Sequence, residues 1–206
     1  MIESIDMVYD KYLNITTQVC QKDTRPERSI FYPYEPTPYS VIEELFTKYP
    51  FADSDHLVDF GSGKGRLLIM AAYYSCKNIT GYEINSDMYQ DSLKNIESFK
   101  KKHGIISHFS ILNENAEKIV INDDMNKFYF FNPFHLKVFI KISRLLLESL
   151  KKNKRTVYLY LHRPFIRTID YMNCLSEFEL LSESKQFYLS QEDSKTYPEF
   201  LVYSSV

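Results

Sequence analysis

Three of the five glycines in this 206-residue chain lie at alternate positions in one stretch, as Gly61, Gly63 and Gly65. Glycine permits positive φ and lets a ligand approach the bare backbone. The mostly apolar residues 57–60 predict a short buried strand before the glycines, and the apolar residues 67–72 predict a helix after them. A strand, a glycine turn and a helix N-terminus form a cradle for a polar ligand. The chain is therefore expected to be organised around this cradle.

Two nucleotide-binding patterns come close to this loop without fitting it. A P-loop ends in Gly-Lys-Ser/Thr, whereas Lys64 is followed by Gly65. A dinucleotide fingerprint needs G-x-G-x-x-G, whereas this chain has G-x-G-x-G. Asp59 would repel a pyrophosphate but suits a cationic amino-acid ligand. A dinucleotide-dependent oxidoreductase is therefore disfavoured, although it stays open as an alternative.

Two later motifs support the same type of site. Glu83 follows the next predicted strand, near the ~20-residue offset at which an acidic side chain meets a ribose. Asn132-Pro133-Phe134 follows a further strand. With Asp59–Gly65, these residues resemble class I S-adenosylmethionine-dependent methyltransferases: their glycine loop, their ribose-binding acid, and the Asn/Asp-Pro-Pro-aromatic motif of those that methylate nitrogen. The chain lacks the second proline of that motif.

The resemblance implies a cofactor, S-adenosyl-L-methionine, with S-adenosyl-L-homocysteine as product. Asp59 would bind the methionine ammonium group, Glu83 the ribose hydroxyls, and Asn115 the adenine. Asn115-Ala116 stands where the family usually has an acidic residue beside a small one. The candidate cofactor-binding residues are Asp59, Gly61, Ser62, Gly63, Gly65, Glu83, Asn115, Ala116, Thr37 and Tyr34. Ser62 and Lys64 also suit the turn and its solvation.

The resemblance makes Asn132, Pro133 and Phe134 the candidate catalytic residues. The Asn132 side-chain oxygen and a backbone carbonyl of the turn would accept N–H bonds and so orient a nitrogen nucleophile. The alternative is an ordinary turn at a strand end, because Asn and Pro are turn formers. His135 and His162 are candidate general bases or packing residues, and Arg163 is a candidate ligand for an acidic group.

The order of predicted elements, βα repeated about five times and then two strands, indicates an α/β fold. It predicts a three-layer sandwich with a mostly parallel sheet, an antiparallel C-terminal hairpin strand and helices on both faces. The resemblance adds that the sheet has seven strands. The candidate groups each follow a different strand, so they meet at one edge of the sheet. These groups are Asp59–Gly65, Glu83, Asn115, Asn132 and His162.

Residues 1–39 are expected to form an N-terminal extension, and residues 40–206 a single core domain. An amphipathic helix over 1–21, either packed or forming a lid, would have an apolar face of Ile5, Val8, Tyr9, Tyr12, Thr16 and Val19. Residues 21–28 are predicted to be a linker. The proline-rich strap 31–39 must be extended, and either covers a sheet edge or lines the methionine end of the site through Tyr34, Thr37 and Tyr39.

Local signals predict several boundaries. Ser40–Glu43 has the spacing of a capping box, Ser86 is a candidate N-cap, and Gly104 a candidate C-cap preceded by solvated lysines. Two final strands are predicted over 178–189 and 199–204, with Pro198 in the loop between them.

Composition narrows the function classes. A net charge of −2 gives no global signal for nucleic acid. Three scattered cysteines fit neither a disulfide framework nor a zinc site, and no metal is predicted. No apolar run approaches the ~20 residues of a membrane span, and the N-terminus lacks a signal-peptide core, so a cytoplasmic protein without a membrane partner is expected.

The sequence thus predicts a methyltransferase that acts on a nitrogen of a protein side chain or a small molecule. A methyltransferase of nucleic-acid bases and a non-catalytic cofactor-binding module on the same fold stay open. The oligomeric state is not predicted.

Overall fold

The computed structural model of the chain describes residues 4–18, 34–184, 187–190 and 194–205. Its helices are α1 (Ile5–Leu13), α2 (Tyr39–Lys48), α3 (Arg66–Tyr73), α4 (Ser86–His103), α5 (Leu136–Lys152) and α6 (Ile166–Asn173). Its strands are β1 (His56–Phe60), β2 (Asn78–Tyr82), β3 (His108–Leu112), β4 (Lys127–Phe130), β5 (Tyr158–His162), β6 (Phe178–Glu183), β7 (Phe187–Leu189), β8 (Thr196–Pro198) and β9 (Phe200–Ser205). In these ranges no helix combines the length and the apolar character needed to cross a bilayer.

Seven strands form one sheet in the order β3-β2-β1-β4-β5-β9-β6. Strands β1 to β5 pair in parallel, and β9 is antiparallel to both of its neighbours. The predicted mostly parallel seven-stranded sheet with an antiparallel C-terminal strand is confirmed. The strand order reverses between β1 and β4, and in open α/β sheets ligands bind in the crevice beyond such a point.

The sheet separates two apolar clusters, which confirms the three-layer arrangement. Leu57 of β1 and Tyr129 of β4 pack in one cluster with α2 and α3, whereas Val58 and Phe128 pack in the other with α5. Neighbouring residues of a strand point to opposite faces. Strand β1 is accordingly buried along its whole length, as expected for a central parallel strand.

The prediction of one strand over residues 178–189 is wrong. Strand β6 ends at Glu183, and β7 pairs with β8 in a separate two-stranded hairpin. Pro198 ends β8 instead of lying in a loop. The Tyr188 hydroxyl donates to the Pro164 carbonyl, so this hairpin is fixed beside the end of β5. The hairpin therefore reaches the crevice, which a continuous strand in the sheet would not do.

The predicted capping box is wrong, because the Glu43 carboxylate binds a residue of another helix instead of the N-terminus of α2. Pro38 precedes α2 and makes no side-chain cap, and Ser40 lies inside the helix. Glu43 instead accepts a 2.6 Å hydrogen bond from the Tyr9 hydroxyl of α1.

The next helix starts one residue earlier than expected. Asn85, not Ser86, caps α4 and accepts from the N–H groups of Asp87 and Met88. The C-cap prediction is confirmed, since Gly104 adopts the left-handed conformation after a basic last turn.

The N-terminal helix is shorter than predicted, and its predicted apolar face is not buried. Asn14 takes a left-handed conformation that ends α1 after Leu13. Ile5, Val8 and Tyr12 are exposed. The buried side of α1 instead carries Asp10 and Leu13, and of the described residues of the predicted face only Tyr9 packs against the core. The predicted linker, Val19 and strap residues 31–33 lie outside the described residues.

Arg66, the first residue of α3, joins this N-terminal segment to the core. Its guanidinium is buried and donates to the Thr17 hydroxyl at 2.7 Å, to Asp6 at 2.8 Å and to the Thr37 carbonyl at 3.0 Å. The Asp10 carboxylate lies 3.9 Å away. A cation at a helix N-terminus opposes the helix dipole, so these tertiary partners must determine its position.

We expect Arg66→Met to lower the free energy of unfolding by about 3–5 kcal/mol, because it leaves the buried Asp10 and the half-buried Asp6 without their cation. Lys77→Met is the control, since it breaks an exposed ion pair with Asp53, and we expect it to cost less than about 0.5 kcal/mol. Urea unfolding followed by circular dichroism measures both. Equal effects of the two substitutions would contradict the anchoring role of Arg66.

Candidate active site

A cavity of about 920 Å³ lies at the carboxyl edge of the sheet. Its walls come from the ends of β1, β2, β4 and β5, from strap residues 34–37 and from the β7–β8 hairpin. Ten predicted site residues line it: Tyr34, Thr37, Asp59, Gly61, Ser62, Glu83, Ala116, Asn132, Pro133 and Phe134. Three others, Gly63, Gly65 and Asn115, do not contribute to its wall.

The glycine loop follows β1 and adopts a conformation that requires residues without a side chain. Gly61 has a φ of 76°, and a Cβ there would lie 2.7 Å from the Cβ of Pro133. Gly63 has a φ of 52°, and a Cβ there would overlap the Tyr34 ring. Gly65 serves as the N-cap of α3. The loop is therefore packed between the Asn-Pro-Phe motif and the strap, as a backbone cradle requires.

Glu83 fixes this loop through both oxygens of its buried carboxylate. One oxygen accepts from the Gly63 N–H at 2.8 Å, and the other from the Asn85 N–H at 2.7 Å. Each carboxylate oxygen has a further lone pair. Glu83 therefore holds the loop and also lines the cavity.

Asp59 is a strongly perturbed acid of the cavity. Its side chain is buried, and no described group donates a hydrogen bond to it. Burial, with a smaller contribution from the negative charge of Glu83, raises the pKa of Asp59 to about 8. A cationic group placed against it would supply the missing partner and favour its ionised form.

The two polar residues inside the glycine loop behave differently. The Ser62 hydroxyl is buried and has no partner among the described groups, although the residue lines the cavity. Lys64 is also buried and pairs with Asp91 at 3.3 Å. The expectation that Lys64 is solvated is therefore wrong, because α4 supplies a carboxylate above the loop.

At the β3 end of the cavity, Asn115 caps a short 3₁₀ turn, and its side chain accepts from the Glu117 N–H at 2.9 Å. The neighbouring Glu114 and Ala116 line the cavity. The adenine contact of Asn115 stays a prediction.

The Asn-Pro-Phe motif combines an uncommon backbone with a fixed side-chain amide. Asn132 has a φ of 40°, which Asn tolerates better than most residues. Its amide nitrogen donates to the Arg163 carbonyl, so the amide oxygen is the end left for another partner. Pro133 packs on Gly61, while the Phe134 ring is largely buried against Phe60.

A second polar cluster joins β5, β9 and the strap. Buried His162 donates from Nε2 to Oε1 of Glu199 at 3.0 Å, and Nε of Arg163 donates to the same oxygen at 2.8 Å. Arg163 also donates to Glu35 of the strap at 3.0 Å. Burial lowers the pKa of His162 despite the nearby Glu199. His135 lies outside the cavity as the N-cap of α5.

The strap lies against the loop and the end of β4. The Tyr34 hydroxyl donates to the Thr17 carbonyl at 2.9 Å, and the hydroxyls of Thr37 and Tyr129 lie 2.9 Å apart. The third strap candidate, Tyr39, is buried in α2 and donates to Asp10. The prediction that Tyr39 lines the cavity is therefore wrong.

Sequence reasoning missed Arg66, Tyr129 and Glu199, all of which line the cavity. A charged residue opening the apolar helix α3 was a usable signal for Arg66. Glu199 precedes β9, which pairs through Phe200 with His162 at the end of β5. Because an antiparallel strand begins where its parallel neighbours end, the residue before β9 belongs to the same edge.

No family model matches the chain. A protein-lysine N-methyltransferase of Saccharolobus islandicus is 33% identical over 92 residues, which cover 44% of this chain and 55% of that protein. The chain thus spans about half the length of this curated relative.

Solved structures with the same fold include several methyltransferases. An RNA methyltransferase of Salinibacter ruber in complex with S-adenosyl-L-homocysteine has a TM-score of 0.55, 17% identity and coverage of 83% of this chain and 92% of that one. A putative RNA methyltransferase of Pyrococcus horikoshii has a TM-score of 0.59, 16% identity and coverage of 89% and 92%. An S-adenosylmethionine-dependent O-methyltransferase of Thermotoga maritima has a TM-score of 0.57, 13% identity and coverage of 84% and 66%. The comparisons confirm the resemblance of this chain to S-adenosylmethionine-dependent methyltransferases, and its fold is the Rossmann-like fold of that class.

Proposed function

We propose that the chain is an S-adenosylmethionine-dependent methyltransferase that methylates a nitrogen, with the side-chain amine of a protein lysine as the favoured acceptor. The observation that carries the proposal is that one cavity is lined by the glycine-loop residues Gly61 and Ser62, by the acids Asp59 and Glu83, and by Asn132 of the Asn-Pro-Phe motif. The lysine-methylating relative supports the acceptor. A cytoplasmic location stays a prediction from the sequence.

The cavity residues fit the cofactor. An α-ammonium group would meet the Asp59 carboxyl, to which no described group donates a hydrogen bond, and ribose hydroxyls would meet the Glu83 carboxylate, which lines the same cavity. The missing side chains of Gly61 and Gly63 let Pro133 and the Tyr34 ring pack against the loop, which brings the Asn-Pro-Phe motif and the strap to the same cavity. When bound, S-adenosylmethionine supplies an electrophilic methyl group on a sulfonium.

The protein's own task is then to place a neutral nitrogen in line with that methyl and to exclude water. The free amide oxygen of Asn132 can accept one N–H of the acceptor and orient its lone pair. The amide cannot rotate freely, because its nitrogen is bonded to the Arg163 carbonyl. Asn132 is therefore proposed to orient the acceptor, and no general base is required of it.

Nucleic acid is the second candidate acceptor, since some structures of the same fold belong to RNA methyltransferases. The described cavity lining carries five acidic residues, namely Glu35, Asp59, Glu83, Glu114 and Glu199, against two arginines. Both arginines are already paired with carboxylates. This lining disfavours a polyanion.

The cofactor assignment is tested by calorimetric titration with S-adenosylhomocysteine. Saturable binding is expected, and no binding to the folded protein would overturn the assignment. A reduced nicotinamide cofactor is titrated in parallel, and its saturable binding would favour the oxidoreductase. Binding of S-adenosylhomocysteine without methylation of any protein in a cell extract would favour the non-catalytic alternative.

Binding is also expected to depend on pH through Asp59. Its pKa of about 8 means that the carboxyl is mostly protonated at pH 6–7, and an ammonium ligand requires the ionised form. The association constant for S-adenosylhomocysteine should therefore rise by up to about tenfold per pH unit from pH 6 to 8 and then level off. Calorimetry across this range measures it. Asp59→Asn should abolish the slope, and a slope that survives in this variant would contradict the assignment.

A further inference from the structure

On the side of β5 and β9, the cavity contains a carboxylate to which the methyl-transfer proposal assigns no role. Glu199 is buried, and its Oε1 accepts from both His162 and Arg163. Its Oε2 accepts no hydrogen bond from a described group, and the residue lines the cavity. One oxygen thus fixes the side chain, and the other is available to a ligand.

The charge around Glu199 is not balanced. Arg163 is shared between Glu199 and Glu35, so one guanidinium faces two carboxylates. His162 adds no charge at neutral pH, because burial lowers its pKa. The cluster therefore carries a net negative charge that a cationic ligand would neutralise.

Glu199 lies on a different side of the cavity from Asp59 and Glu83, the two acids proposed to bind the cofactor. Glu83 follows β2, Asp59 lies in β1, Asn132 follows β4, and Glu199 lies where β9 pairs with the end of β5. Along the sheet order, Asn132 therefore stands between the two cofactor acids and Glu199. A group bound at Glu199 approaches Asn132 from the side opposite the cofactor.

The surroundings suit an alkyl chain with a charged end. Phe165 and the hairpin residues Phe187, Tyr188 and Leu189 line the same cavity. The Tyr188 hydroxyl, bonded to the Pro164 carbonyl, fixes the hairpin beside β5. A lysine side chain has four methylenes and an ammonium, so its stem can pack on apolar residues while its charge reaches a carboxylate.

We infer that Glu199, fixed by His162 and Arg163, is the acceptor-binding residue that receives the ammonium group of a protein lysine before methyl transfer. The inference rests on the proposed function and adds the residue that selects the acceptor. Glu199 binds and positions the protonated amine. Asn132 then orients the nitrogen once a proton has left to water.

The test uses the protein saturated with S-adenosylhomocysteine and two probes, the peptide acetyl-Gly-Gly-Lys-Gly-Gly-amide and its norleucine counterpart. Norleucine keeps the stem and lacks the ammonium. Calorimetry should show that the parent binds the lysine peptide at least about tenfold more tightly. Glu199→Gln, which keeps the size and an acceptor oxygen, should remove this preference and leave S-adenosylhomocysteine affinity within about threefold.

Glu183→Gln is the matched control, because it removes the same charge from an exposed position on neighbouring β6, outside the cavity. It should keep the lysine preference. Glu199→Asp, which keeps the charge but retracts it, should show an intermediate preference.

Three results would overturn the inference while S-adenosylhomocysteine still binds: no lysine preference in the parent, an unchanged preference in Glu199→Gln, or an equal loss in Glu183→Gln. Tighter binding of a single-stranded RNA oligonucleotide than of the peptide would also overturn it. Failure of the parent to bind S-adenosylhomocysteine would instead reject the proposed function, so the two failures are distinguishable.

Discussion

Glu83→Gln is expected to weaken S-adenosylhomocysteine binding by at least about 100-fold. Both carboxylate oxygens accept backbone N–H bonds, from Gly63 and Asn85. The amide of glutamine has only one oxygen, so its NH₂ group would face a backbone donor. Charge-assisted bonds contribute about 1.5–3 kcal/mol each, and 100-fold corresponds to about 2.7 kcal/mol.

The substitution thus affects the site twice, because it loosens the glycine loop and removes an acceptor for the ribose. Calorimetry of the folded variant measures the loss, with circular dichroism as the check on folding. Asp87→Asn is the control, since it removes a carboxylate from the nearby first turn of α4 outside the cavity. Affinity within threefold of the parent for Glu83→Gln would reject its assigned role.

Asn132→Gly is expected to lower methyl transfer by about 100-fold or more with little change in S-adenosylhomocysteine affinity. Glycine accepts the φ of 40° without strain, so the substitution removes the amide alone. Loss of one positioned hydrogen bond at a reacting group typically costs about 10²–10³ in rate. Tritiated methyl incorporation into lysine-rich protein, under single-turnover conditions, measures it.

Asn132→Ala separates the two interpretations of the motif. It removes the same amide and adds about 1–2 kcal/mol of backbone strain, so its stability should fall below that of Asn132→Gly while its rate is similar. If Asn132→Gly transfers methyl as fast as the parent, Asn132 is only a turn residue.

The periodic and local patterns of the sequence predicted the overall architecture of the fold well. The glycine loop, the acid after β2 and the alternation of strands and helices depend on short segments, and short segments determine backbone conformation. Because parallel strands end at one edge, the order of the strands alone was enough to predict that Asp59, Glu83 and Asn132 lie together.

Predictions failed where a distant residue provided the partner. Glu43 has the correct spacing for a capping box, but Tyr9 takes its carboxylate. Lys64 looks like a solvated loop residue, but Asp91 of α4 pairs with it. The apolar stripe of α1 suggested burial, whereas Arg66 anchors that helix through its polar face. None of these pairs is visible in a local window of sequence.

The acceptor end was the least predictable part of the site. Glu199 reaches the cavity only because β9 inserts beside β5 and brings it to His162. Strand β7 also appeared in the sequence as part of one long strand, and β8 as part of a loop. The residue proposed to bind the acceptor thus reaches the cavity through long-range topology, whereas each residue proposed to bind the cofactor follows a strand that local patterns predict.

The buried carboxyl of Asp59 has a consequence for the protein in the cell. The pKa of Asp59 rises from 3.8 to about 8 on folding. Its stabilising contribution to the folded state is therefore fully present below about pH 4 and is lost as the pH rises through 8. Near neutral pH the buried Asp59 carboxyl therefore stabilises the ligand-free protein less than it does in acid. A bound ammonium group would offset this loss. Ligand binding shifts the folding equilibrium by mass action, so starvation for the methyl donor should expose more of the unfolded chain to proteases. The abundance of this protein would then follow the supply of its own cofactor.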